Sequence, residues 1–137
     1  MPHPADQYYA PNRPRDEVRA QLRRDQLRLR ACQASLGLVG RDVLGLAVEP
    51  RQDEVVLHAA VVRETPEAVR DLHDIAAELK LLLVGGPDDR SDITTQVHVG
   101  LPCPATWPGH DHALVYLAKW DEVAAVDAER ERERAEV

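Results

Sequence analysis

The sequence predicts an α+β two-layer sandwich, with two helices on one face of a four-stranded antiparallel sheet, and three observations predict it. One pattern, an amphipathic helix followed by two strand-like runs, occurs twice between Arg15 and Trp120. Apolar residues recur near helical spacing in the first segment of each copy and alternate in the two segments that follow. At 137 residues, 44% apolar and 30% charged, the chain holds one modest core, so both copies share a single domain over 13–120.

Residues 1–12 carry three prolines, adjacent Tyr8 and Tyr9 and no periodicity, and are expected to form a flexible arm. The first helix follows, with Val18, Leu22, Leu29, Cys32 and Leu36 as its apolar stripe among arginines, and Gly37 and Gly40 mark its stop. RDVLGLAV (41–48) reads as the first strand. In the second, 53–62, both alternating sets are apolar, Val55, Leu57, Ala59 and Val61 against Val56, His58, Ala60 and Val62. Such a strand is buried on both sides.

The second helix begins with Thr65 as N-cap, Pro66 at the first helical position and Glu67 at the positive end of the dipole. Leu72, Ile75, Ala76, Leu79, Leu82 and Leu83 form its stripe before Gly85 and Gly86. Residues 91–100 alternate Ile93, Thr95, Val97 and Val99 with Thr94, Gln96 and His98, the pattern of an edge strand. The last strand, 112–120, sets Ala113, Val115 and Leu117 against Leu114, Tyr116 and Ala118, again two apolar faces. Residues 121–137 alternate Glu and Arg as a charged, helix-prone tail.

Helix, hairpin, helix, hairpin is the order of a ferredoxin-like fold circularly permuted so that its first strand comes last. That arrangement puts the second and fourth strands in the centre, in agreement with their two-sided apolar patterns. With both helices on one face, Val56, Ala60, Val62, Leu114 and Tyr116 form an open apolar face. A face of this kind requires cover, so a homodimer contact is expected there, with the tail or a ligand as the other possibilities.

The net charge of −7 is segregated: Arg13–Arg30 holds seven arginines against three acids, and Asp121–Val137 holds seven acids against three arginines. No basic cluster is interleaved with aromatics, which argues against nucleic-acid binding. No apolar run reaches the roughly 20 residues of a membrane span and the N-terminal stretch lacks a signal-peptide core, so a cytoplasmic location and no membrane partner are expected. Cys32 and Cys103 read as free thiols.

Candidate chemistry gathers in two places. The segment LPCPATWPGHDH (101–112) brings Cys103, His110 and His112 into one loop after His98; these are zinc-competent side chains, though their spacing matches no closed zinc pattern. His58, His98 and Tyr116 are the polar groups available to a ligand pocket on the open face. The runs HAAV from His58 and HVGL from His98 resemble the paired histidine motifs of the two-histidine phosphoesterases. That resemblance implies two histidines on pseudo-twofold strands around a phosphate-bearing ligand; Ala60 and Gly100 stand where that family carries Thr or Ser.

No nucleophile, acid–base pair or phosphate loop emerges from the remaining residues. The sequence therefore predicts a non-catalytic module that binds another protein stoichiometrically and needs no cofactor, an immunity protein or antitoxin being the concrete form. Its alternatives are a ligand-binding protein or enzyme built on the open face, and a metal-binding protein built on the 98–112 loop.

Overall fold

The computed structural model describes residues 15–118 together with 132, 133 and 135. The expected arm lies outside the described residues, as does the expected tail apart from those three helical positions. In chain order the elements are α1 (Arg15–Ser35), β1 (Val43–Arg51), β2 (Glu54–Val61), α2 (Pro66–Leu82), β3 (Asp92–Val99), a 3₁₀ turn (Pro108–Asp111) and β4 (Ala113–Leu117). No helix among the described residues is long and apolar enough to cross a membrane.

The class is α+β, with two helices and one four-stranded sheet. That sheet is mixed, which corrects the antiparallel expectation: its order is β3-β2-β1-β4, with β2 and β3 parallel. β2 is central and β3 an edge, as read from alternation, but β1 takes the other central place and β4 the other edge. The cause is connection length. β1 and β2 are joined by a tight turn in which Asp53 takes a left-handed φ of 60°, and so pair antiparallel. β2 returns through α2 and lands parallel to β3. Between β3 and β4 lie residues 100–112, too long for a hairpin; they carry the chain from one edge of the sheet to the other.

Both helices pack on one face. Leu46, Val48, Leu57 and Val61 of the sheet meet Leu27, Ala31 and Ala34 of α1 and Leu72, Ile75 and Leu79 of α2. On α2 the expected stripe holds through Leu79 and Leu83, while Leu82 is exposed. On α1 it does not: Leu22, Leu29 and Leu36 are exposed and the buried face is Leu27, Ala31, Ala34 and Ser35. Two alanines let that helix approach closely, whereas larger side chains point away. Thr65 caps α2 as expected, its Oγ1 accepting from the Ala68 amide at 3.1 Å.

The second face is covered from within the chain. The β3–β4 connection lays Trp107, 1% exposed, on Leu44, Ala47 and Ala60. The slot is made by small residues: a Cβ on Gly45 would stand 3.1 Å from the indole, and one on Gly109 only 2.5 Å from it. Val56 and Ala60, expected at a subunit contact, are already buried in the single chain, and Val62 and Leu114 pack half-buried around Trp107. Tyr116 corrects the expectation outright. The register slips between the Leu46 and Ala47 pairs, leaving Val115 unpaired, so Tyr116 opposite Leu46 turns to the helix side.

Candidate metal centre

β1 is longer than its edge neighbour. β4 begins at Ala113, opposite Val48, so the residue before it, His112, falls beside Glu49 as β1 runs on to Arg51. On the other flank of β1, His58 of β2 sits opposite Ala47, one diagonal step from Glu49. Ala47 carries only a methyl group, which leaves room for the two rings to lean together above β1. Their centroids are 5.3 Å apart and their planes 8° from parallel.

Glu49 is the hub. Its Oε1 accepts from His58 Nε2 at 2.7 Å and from Arg51 Nη2 at 3.1 Å, lies 3.3 Å from His112 Nε2, and its Oε2 accepts from Arg51 Nε at 2.7 Å. The hydrogen bonds from Arg51, and after them the one from His58, outweigh partial burial and hold the Glu49 carboxyl down to about 2. Burial pushes His112 below the ordinary imidazole value, against the pull of Glu49, so its ring is neutral and able to ligate near pH 7. His58 is almost completely buried and His112 half-buried, so the centre is closed on the β2 side and reached from the β4 side.

One ligand atom from each of Glu49, His58 and His112 falls within 4.8 Å of the other two. Two imidazoles and a carboxylate on one side of a point suit a divalent transition metal at roughly 2.0–2.2 Å from each donor, with at least one coordination position left open. A metal held by His58 Nε2 would require that ring to carry its N–H on Nδ1 instead. Arg51, bonded through Nε to Oε2, would then act as the outer partner that orients the carboxylate.

The structure redistributes the residues that the sequence marked. His58 and His112, read as members of different groups, meet in one site. His98 stands on β3 opposite Ala60, so β2 and β3 are direct neighbours instead of flanking β4, and His98 is not among the clustered ligands. Cys103 and His110 serve the loop: the Cys103 carbonyl accepts from the Thr106 and Trp107 amides, and the His110 amide donates to the Trp107 carbonyl. Both cysteines are free. Glu49 and Arg51 went unmarked because they follow the apolar run of β1 and flank Pro50, where the sequence reads as a turn. A hairpin register counted outward from Asp53 would have set Glu49 beside His58.

No family model matches the chain, and no curated protein is similar to it.

Proposed function

We propose that the protein binds a divalent transition metal through Glu49, His58 and His112, with zinc as the first ion to test. The observation that carries this reading is the convergence of three donor atoms from β1, β2 and the residue preceding β4 within 4.8 Å. Imidazole nitrogen beside carboxylate oxygen favours this class of ion over calcium or magnesium, which prefer all-oxygen shells. Three protein donors leave a position for water or an incoming ligand, and a bound ion would supply Lewis-acid character there. Folding does not call for the metal, because the helix-side core and the Trp107 cluster are both complete without it.

Calorimetric titration of the purified full chain with zinc tests the proposal. One ion should bind per chain, and His58→Ala and His112→Ala should each weaken binding by at least about tenfold. Variants that bind zinc as tightly as the parent chain, or no binding at micromolar concentration, would overturn it.

A further inference from the structure

The helix side carries a second feature, away from the metal centre. α1 overhangs the core: none of its residues from Arg15 to Gln26 is buried, a stretch of about 18 Å at helical rise. Arg23 ties this stretch to the rest of the domain. Arg23 donates from Nε and Nη2 to Asp88 Oδ1 at 3.0 and 2.8 Å, and Nη2 also donates to the Arg51 carbonyl at 2.8 Å. Beside the tether, between α1 and the end of α2, lies a groove of about 640 Å³. Leu22, Leu82 and Val84 supply its apolar lining, with Leu22 48% and Val84 66% exposed.

The apolar strip continues beyond the groove. Leu22 and Leu29 of α1 and Leu36 just past its end recur at intervals of seven, on the side away from the buried Leu27, Ala31 and Ala34, and all three are exposed. A strip of that period fits the seam of another helix. The arginines around it outnumber the acids, of which the exposed Asp25 falls within the strip between Leu22 and Leu29. Arg23 and Asp88 neutralise each other, which leaves Arg19 and Arg30 as the groove's charged rim, and Arg24 and Arg28 continue along the helix. From Arg15 to Arg30 there are six arginines and three acids.

We infer that this groove and strip dock an acidic amphipathic helix of a partner protein. A second copy of α1 is a poor occupant because it would set arginines against arginines. Of the acidic residues after Trp120, the described Glu133 lies 3.9 Å from Arg63, just ahead of the start of α2, whereas the groove is at that helix's other end. An acidic helix pairs its charges with Arg19 and Arg30 while covering the exposed leucines, which gives both orientation and steering.

The test uses the full chain and a labelled, capped peptide of about 18 residues, long enough to form a helix, with leucine at alternating third and fourth positions and alanine and glutamate elsewhere. A lysine counterpart is the control. Fluorescence anisotropy should show the acidic peptide binding with a Kd on the order of 10–100 µM, weakening as salt screens the arginines. Leu22→Asp and Val84→Asp replace exposed side chains and should leave the circular dichroism spectrum unchanged, yet each should weaken binding by about tenfold or more through repulsion and lost apolar contact. No acidic-peptide binding up to about 1 mM, equal binding of the lysine peptide, or indifference to both substitutions overturns the inference. So does light scattering that shows a dimer dissolved by Leu22→Asp, since the occupant is then a second copy.

Discussion

Trp107 joins the covering loop to the metal centre, and replacing it tests whether the loop holds His112 in place. Truncating a buried indole to alanine typically costs about 3–5 kcal/mol, the sum of lost transfer energy and the cavity left behind. The site should sit at the upper part of that range, because β1 and β2 are rigid neighbours of Leu44, Ala47 and Ala60 and collapse poorly into the gap. A domain of this size is stable by about 5–15 kcal/mol, so Trp107→Ala should lose from about a third of its margin to nearly all of it. Trp107→Phe gives the informative contrast. The Trp107 indole N–H is buried without a hydrogen-bond partner among the described residues, a burden of roughly 1–3 kcal/mol that phenylalanine removes while keeping most of the ring. The phenylalanine variant should therefore lose no more than about half of what alanine loses. Urea unfolding followed by circular dichroism measures both, with a shifted midpoint at constant slope as the expected signature. Zinc titration of the still-folded alanine variant should show weakened binding, because Gly109 and His112 follow Trp107 in the same loop. A loss below about 1 kcal/mol, or a large loss of stability with zinc affinity unchanged, would refute the reasoning.

Gly109→Ala should act on the same slot from the opposite side: its methyl would stand 2.5 Å from the Trp107 ring and 2.8 Å from His58 Cβ, so a loss of about 1–3 kcal/mol in urea unfolding is expected, with weaker zinc binding. Acid should reveal Glu49. Its native carboxyl, at about 2, lies below the ordinary 4.5, so the stability it contributes is present above pH 4.5 and is lost as pH falls through 2; Glu49→Gln should flatten the stability-versus-pH curve in that window, and parallel curves would contradict the assignment. Thr65→Ala removes the cap on the Ala68 amide and should cost about 1 kcal/mol in the same unfolding assay without changing zinc affinity.

The sequence made the elements legible but left their partners open. Two-sided alternation placed β2 in the centre because that property is local to one strand. The place of β4 was not local: it depends on where residues 100–112 travel, and Pro102, Pro104 and Pro108 signal a long loop without giving its direction. The α1 stripe was misread for a related reason, since leucines at intervals of seven outweigh alanines in a hydrophobicity pattern although the alanines are what the core admits. His58 and His112 were each visible as competent ligands. Their meeting was not, because it follows from strand order and from Ala47 being small, and Glu49 was hidden by the proline beside it.

Arg51 belongs to both sides of the molecule at once. Its guanidinium grips Glu49 on the sheet's second face, while its carbonyl oxygen accepts from Arg23 next to the groove on the helix face. A guest in the groove that draws Arg23 toward itself releases one end of that link and leaves Glu49's anchor freer to move. Thermodynamic reciprocity then governs the pair: whatever factor the guest applies to metal affinity, the metal applies to affinity for the guest. Such communication is short, since Arg51 alone makes both contacts. Zinc titration of the parent chain and of Arg23→Ala, each with and without the acidic peptide, measures its size.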